Sequence, residues 1–513
     1  MSFILFIKKT ENNSENWQIE NFNEDYLNSN SAPTFVSEQY HSLGNDRVKL
    51  FFYDHGSEIP GDSYIQDDEG LYFTFGASID LETNKSDAKS VFKKLQQNRH
   101  SDEIQGDFVS LGLDTNGDGA LYSTLMTFNR IFYYEDENVF VFSSEIKLMF
   151  NSLNCFRKGG VCDFLNLDFI NDSIHNEWTE REFPDYTMMN GIKRLHSTMF
   201  VTFNGYKPTF SDNQFKLYDK KWGGLYTNNK KKFYDELFEI IERANKAFLN
   251  QLAGKTIEVL MSGGLDSRLT VAILSALAPQ YNITLTSKSW GPVDHPDVII
   301  GKRVAETLGI SFKNLHGDGE LFYPQKIEDF KRCIKLSQGD WNSNDFRTSN
   351  VFVKRIVVSG QDNYKRHNWA KIYGMNRWYA ARMQYTKTLP IISIEIVNKI
   401  ALVYSKHNFH NGLFEFSHEL LQRFAPSLLD IPLVGMSIPQ HFVEPYSTVA
   451  KSKTMPSQEV EAYWDPSLVS EALVLNKNAK SCKHEFNINL VANDKRKRRI
   501  AMDFASMLNE RYL

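Results

Sequence analysis

Between residues 256 and 268 the chain reads Thr256-Ile257-Glu258-Val259-Leu260-Met261-Ser262-Gly263-Gly264-Leu265-Asp266-Ser267-Arg268. Two adjacent glycines carry no side chain to hold a polyanion away from the backbone, and the free N–H groups of a helix's first turn point at whatever lies before it. Ser262 and Ser267 add hydroxyls that can bond phosphate oxygens. Asp266 would repel those oxygens unless a divalent cation stood between them, so the acid implies Mg2+. The expected ligand is a phosphate chain. The elements needed to aim these groups flank the turn. Thr256 to Leu260 is a short β-prone run, while Leu269, Ile273 and Leu277 recur at helical spacing with Ala272 and Ala276 beside them, which predicts a helix. The alternative is a purely structural turn, in which the glycines only permit a sharp strand-to-helix junction.

The spacing is not that of a Walker loop, which needs GxxxxGK[ST]. It resembles the SGGxDS pyrophosphate loop of the N-type ATP pyrophosphatases, which cleave ATP to AMP and pyrophosphate while adenylating a carboxylate or similar oxygen. The resemblance implies ATP and Mg2+ as cofactors, with Leu260, Ser262, Gly263, Gly264, Asp266 and Ser267 at the nucleotide. Beyond the predicted helix come an alternating strand, Tyr281 to Ser287, and the turn Asp294-His295-Pro296-Asp297. A second helix follows with Val298, Gly301, Ala305 and Leu308 on one face, ended by Gly309, and Ile310-Ser311-Phe312 starts a further strand. This β-α-β-α-β order calls for a parallel sheet with right-handed crossovers and a ligand at the carboxyl ends of its strands. Ser287 and Lys288, closing the second strand, are expected to meet the adenine or ribose. Asp294 is the expected N-cap of the second helix, with substrate contact by His295 and Asp297 as the alternative.

The first 150 residues read as β-rich, with a first strand at Ser2 to Ile7. Consecutive strands are expected at 106–113, 120–123, 131–134 and 139–144. The turn Asp114-Thr115-Asn116-Gly117-Asp118-Gly119 imitates half of an EF-hand loop, but its twelfth position is Leu125 rather than glutamate, which makes it a hairpin. The run Phe140-Val141-Phe142-Ser143-Ser144-Glu145-Ile146-Lys147-Leu148-Met149 resembles the F-x-F-(A/S)-S-E-x-K-x-L segment in the glutaminase domain of asparagine synthetases. Gly191 to Leu195 followed by Met199 to Gly205 is similar to that domain's last hairpin. With the pyrophosphate loop next in order, the resemblance to the asparagine synthetase-like family covers most of the chain. It implies an N-terminal sandwich of the Ntn-hydrolase type. The family's nucleophile there is a cysteine directly after the initiator methionine, a thiolate beside a free amine. This chain has Ser2, so the glutaminase-like domain is expected to be inactive.

A linker rich in Gly, Asn and Lys is expected around Trp222 to Lys232, followed by an amphipathic helix from Phe233 to Leu252. The family also carries a second glycine-acid loop, whose acid shares the metal with the first aspartate. Two stretches compete for it: Ile356-Val357-Val358-Ser359-Gly360-Gln361-Asp362, which makes Asp362 the candidate second catalytic metal ligand, and Ile372-Tyr373-Gly374-Met375-Asn376-Arg377, which makes Gly374 an ATP contact. Asp340, Asp345 and Glu395 are the other acids considered for the second position. Thr388 to Val397 resembles a family segment whose glutamate, a support for the amine-deprotonating tyrosine in β-lactam-forming relatives, corresponds to Thr386. Lys451 and Lys453 are the nearest counterparts of the family's late lysine. Arg423 to Leu433 resembles a motif of family members of uncertain substrate, and the tail from Trp464 is expected to be helical.

Composition narrows the classes. With 513 residues the chain exceeds one core, and a net charge of -5 gives no basic footprint for nucleic acid. The basic run Lys495 to Arg499 reads as a solvated helix start. Four scattered cysteines, without CxxC spacing, fit a reducing compartment and no zinc site. No run reaches the length of a membrane span or a signal peptide, so a cytoplasmic protein is expected. The expected architecture is α/β with α+β character: residues 1–222 as the glutaminase-like sandwich and residues 223–513 as the ATP pyrophosphatase domain, a parallel sheet with helices. The expected activity is ATP-dependent amide formation through adenylation of a carboxylate. Its partners are a small-molecule or peptide carboxylate, an amine, and a second copy of the chain in a homodimer; neither nucleic acid nor membrane is among them. The alternatives are a non-catalytic nucleotide-binding relic and a true glutamine-hydrolysing asparagine synthase.

Overall fold

The structure is a computed structural model. It describes residues 2–9, 37–43, 47–54, 63–98, 102–124, 131–144, 146, 148–149, 153, 187, 191–195, 199–212, 222–289, 293–314, 409–434, 448–449, 465–475 and 493. Among these the chain is mixed α/β, with antiparallel sheets in its first part and a three-stranded parallel sheet in its second.

The first part runs β1 (Ser2–Lys8), β2 (Ser37–Leu43), β3 (Val48–Asp54), β4 (Ser63–Asp67), β5 (Gly70–Asp80), α1 (Ala88–Gln97), β6 (Ile104–Asp114), β7 (Gly119–Ser123), β8 (Phe132–Glu135), β9 (Val139–Ser143), β10 (Lys193–Arg194), β11 (Met199–Asn204) and β12 (Lys207–Asp212). These strands make two six-stranded sheets, ordered β10-β8-β9-β1-β3-β2 and β12-β11-β7-β6-β5-β4. Side chains alternate between the faces of a strand. Phe3, Leu5 and Ile7 of β1 and Leu50 and Phe52 of β3 therefore share one face, and they meet Leu71, Phe73 and Phe75 of β5 and Val109, Leu111 and Leu113 of β6. The rings of Phe3 and Phe73 stand 4.7 Å apart across this interface. The expected sandwich is thus present as two face-to-face antiparallel sheets. On the outer face of the second sheet Tyr72, Phe108, Ala120 and Tyr122 receive Val91, Phe92 and Leu95 of α1. Gly112 of β6 lets α1 come this close, because a Cβ there would lie 2.4 Å from the Phe92 ring.

The turn at residues 114–119 is a hairpin, and its acids are turned on the backbone. Asp114 Oδ1 accepts from the N–H groups of Asn116 and Asp118, and Asp118 Oδ1 accepts from Gly205 N at 2.7 Å.

The second part begins with a correction. Trp222 to Lys232 is not a linker: α2 (Gly224–Asn228) leads through Asn229 straight into α3 (Lys230–Asn250). Gly and Asn favour loops, but the rings of Trp222 and Tyr226 pack on Phe233 at 5.8 and 5.2 Å, and that burial overrides local propensity. Next come β13 (Thr256–Leu260), α4 (Leu265–Leu277), β14 (Thr284–Ser289), α5 (Pro296–Thr307), β15 (Ser311–Asn314), α6 (Phe409–Phe424), β16 (Leu433–Val434), β17 (Thr448–Val449) and α7 (Pro466–Leu475). Strands β13, β14 and β15 pair in parallel in that order, with Thr256 opposite Thr284 and Leu260 opposite Lys288. Strand β14 starts later than its alternating pattern suggests. Residues 278–281 form a 3-10 turn and Asn282 takes a left-handed φ of 55° before the chain extends. Gly309, at φ 67°, stops α5 as expected.

One core joins these elements. Phe233, Leu237 and Ile241 of α3 meet Leu269, Ile273 and Leu277 of α4, Val304 of α5, and Phe416 and Leu420 of α6. A smaller cluster, Ile79 and Leu81 with Ala244, Ala247 and Phe248, carries α3 onto the first part, and Arg243 adds an ion pair to Glu103 at 2.8 Å. Among the described residues no helix is long and apolar enough to cross a membrane.

Candidate functional site

The carboxyl edge of the parallel sheet gathers the residues singled out above. Leu260 ends β13, and Met261 N donates to Lys288 O at 2.8 Å, so the chain leaves the strand still tied to β14. Ser262, Gly263 and Gly264 then turn it into α4. Gly264 is the N-cap residue, at φ −83° and ψ 175°, and no side chain caps the helix. Gly264 is therefore in extended backbone, not in the left-handed region that requires glycine. Asp266 is the second residue of α4.

Inside the turn, hydroxyls and backbone close on one another. Ser262 N donates to Ser267 Oγ at 3.1 Å, the two serine hydroxyls share a hydrogen bond of 3.1 Å, and Gly264 N donates to Ser262 Oγ at 3.3 Å. Ser267 Oγ also donates to Ser262 O at 3.2 Å. The spacing of the two serines, five residues apart, thus braces the loop from both ends. Gly263 N, between them, donates to Asp297 Oδ1 at 2.8 Å. That contact crosses from one βα unit to the next, and it exists because β13 and β14 are parallel neighbours whose helices start from the same edge.

The start of α5 differs from expectation. Its N-cap is His295, not Asp294: the ring Nδ1 accepts from Asp297 N at 3.2 Å. Pro296 is the first helical residue, where its missing N–H costs nothing, and that fixes the cap one position earlier. Asp297, in the first turn, is then free of capping duty and reaches the glycine loop.

The other expected nucleotide contacts are drawn into the sheet. Ser287 is buried, and its hydroxyl donates to Ser311 O at 2.8 Å on the adjacent strand. The Lys288 ammonium forms an ion pair with Glu258 on β13. Asp362, Gly374, Asp340, Asp345, Thr386, Glu395, Lys451 and Lys453 lie outside the described residues. Among the described residues no three His, Cys, Asp or Glu side chains group as a metal set. Magnesium on a polyphosphate is commonly held by one or two carboxylates, with phosphate oxygens and water completing its shell.

Arg268, which belongs to no motif recognised in the sequence, is the largest fully buried side chain among the described residues. Its guanidinium donates to Leu428 O at 3.3 Å, Ile431 O at 2.5 Å and Pro432 O at 2.7 Å. It ties the first turn of α4 to the turn after α6. In the first part, Ser2 opposes Tyr53 at the start of β1, and the next residue is locked in place: Phe3 N donates to Ser144 Oγ and Ser143 Oγ donates to Phe3 O, both at 2.9 Å.

Together these elements define an α/β chain with a glycine turn and an uncapped helix start at the carboxyl edge of a parallel sheet. In comparison with known proteins, the chain matches no family model and no curated protein.

Proposed function

We propose that the chain is an ATP-dependent ligase that forms an amide bond, with ATP held at the turn from Ser262 to Ser267. The observation that carries this reading is the uncapped N-terminus of α4, entered through Ser262-Gly263-Gly264 from the carboxyl end of a parallel strand. Backbone N–H groups at such a helix start, two serine hydroxyls and a nearby carboxylate suit a polyphosphate carried with a hard cation. The resemblance to the asparagine synthetase-like family supports the choice of reaction, and the two-sheet first part supports an N-terminal domain of the corresponding kind.

In this reading a substrate carboxylate oxygen attacks the α-phosphorus of ATP. The bond to the bridging oxygen breaks, pyrophosphate leaves, and an acyl-adenylate forms. An amine then attacks the acyl carbon and displaces AMP, giving up a proton. Mg2+, when bound, would neutralise charge building on the departing pyrophosphate, with Asp266 as its first protein ligand. The first-turn amides of α4 orient the phosphates, and Ser2 in place of a thiol supports an amine source other than glutamine.

The test is Asp266→Asn, which removes one charge at nearly constant volume. ATP-dependent pyrophosphate release in the presence of the substrate should be lost while circular dichroism stays unchanged. Undiminished release would make the loop a structural turn. Binding of Mg-ATP by the wild-type protein without pyrophosphate release, across pooled carboxylates and amines, would favour the nucleotide-binding relic instead.

A further inference from the structure

We infer that Asp297 is a selectivity residue for the glycine loop, a fixed negative charge that makes it reject free polyphosphate and accept the divalent-cation complex. The inference rests on the nucleotide reading above. Of the loop's three consecutive donors, Ser262 N and Gly264 N are taken by the loop's own serines, whereas Gly263 N is taken by Asp297 Oδ1 at 2.8 Å. An ionised acceptor at that distance makes a charge-assisted bond. A carboxylate therefore sits on the amide of the residue that opens the glycine pair.

The carboxylate is held by the start of its own helix. Asp297 lies in the first turn of α5, after Pro296 and the His295 cap. The Nδ1 atom of His295 stands 3.8 Å from Asp297 Oδ2 and accepts the Asp297 N–H at 3.2 Å, which fixes the carboxylate's own backbone at the helix start. Helix α5 itself is close to the loop, since a Cβ on Gly301 would stand 3.5 Å from Met261 Cβ. An incoming polyphosphate brings its oxyanions beside this carboxylate. Like charges a few ångströms apart, partly shielded from water, repel strongly, and a divalent cation between them reverses the sign. Asp297 thus adds a second acid at the loop, supplied by the neighbouring βα unit.

The experiment measures binding of inorganic pyrophosphate to the full chain by calorimetry, with excess Mg2+ and with a chelator. Wild-type protein should bind the magnesium complex and discriminate against the free anion. Asp297→Asn keeps an amide oxygen for Gly263 N and removes the charge. It should tighten metal-free binding by about tenfold and reduce the preference for the magnesium complex by at least that factor. A brace without electrostatic function would leave this ratio unchanged in Asp297→Asn, and would lower both affinities together in Asp297→Ala; either pattern overturns the inference. If Asp297→Ala does not fold, the Asn variant decides alone. If the wild-type chain binds neither pyrophosphate nor ATP with or without Mg2+, the nucleotide reading itself fails, an outcome distinct from an unchanged ratio.

Discussion

Replacing Arg268 with methionine tests whether the glycine-loop helix is held by the chain's later segment. The guanidinium is fully buried and donates to the carbonyls of Leu428, Ile431 and Pro432 at 3.3, 2.5 and 2.7 Å. Each hydrogen bond to a charged group contributes about 1.5–3 kcal/mol, so three are worth about 5–9 kcal/mol before the cost of burying the charge is subtracted. Methionine approximates the length of the side chain, returns the desolvation cost and leaves three carbonyls without this donor. The net loss should be about 2–4 kcal/mol, set by buried carbonyls left unsatisfied at about 1–3 kcal/mol each, less the desolvation cost returned. Arg268→Lys keeps the charge but not the planar fork, and should lose roughly half as much. The assay is urea unfolding followed by tryptophan fluorescence, in which Trp222 reports from the same core. With a slope of about 1–3 kcal/mol per molar urea, the Arg268→Met midpoint should fall by about 1 M or more. A midpoint unchanged within about 0.2 M, with an unchanged slope, would refute the clamp.

Three further outcomes follow from the packing. Gly112→Ala places a methyl 2.4 Å from the Phe92 ring, and should cost about 1–3 kcal/mol in thermal or urea unfolding as α1 is pushed off its sheet. Asn229→Ala removes the cap bond to Lys232 N at 3.0 Å, and should cost about 1 kcal/mol by the same measurement. For Asp80, burial alone would raise the carboxyl's pKa, but Lys94 at 2.7 Å, the Glu82 N–H and the Thr83 hydroxyl outweigh it and hold it below the ordinary value. A depressed carboxyl stabilises the fold fully above the unfolded-state pKa of about 3.9, and the contribution is lost as pH falls through the lower folded value. Stability measured across that acid window should therefore fall more steeply in the wild type than in Asp80→Asn; parallel curves would contradict the assignment.

Local pattern carried much of the fold. The period of Leu269, Ile273 and Leu277 gave α4 its buried face, and the Ser-Gly-Gly turn marked the start of the helix to within a residue. In β1, Phe3, Ile4, Leu5, Phe6 and Ile7 are all buried, which suits a run flanked by β9 and β3 in the middle of its sheet. Contacts made in space were harder to read. The hydroxyl of Ser287 could equally have faced a ligand; its turn toward Ser311 depends on the register of a strand 24 residues away. The Arg268 clamp spans 160 residues and leaves no periodic trace. His295 as a cap was legible in principle, because Pro296 at the first helical position assigns the cap to its predecessor, but two neighbouring aspartates offered more familiar caps. The linker at 222–232 was misread because its glycines and asparagines speak for the isolated chain, while Trp222 and Tyr226 speak for the core.

The central claim is that the Ser262–Ser267 turn is where a magnesium-nucleotide binds. Amide hydrogen exchange on the full chain, with and without Mg-ATP, measures this directly. Binding at the turn should slow exchange at the amides of Ser262, Gly263, Gly264, Leu265, Asp266 and Ser267 by about tenfold or more, and Asp266→Asn should lose most of that protection. Unchanged exchange across these amides at saturating Mg-ATP, or protection confined to another part of the chain, would contradict the claim.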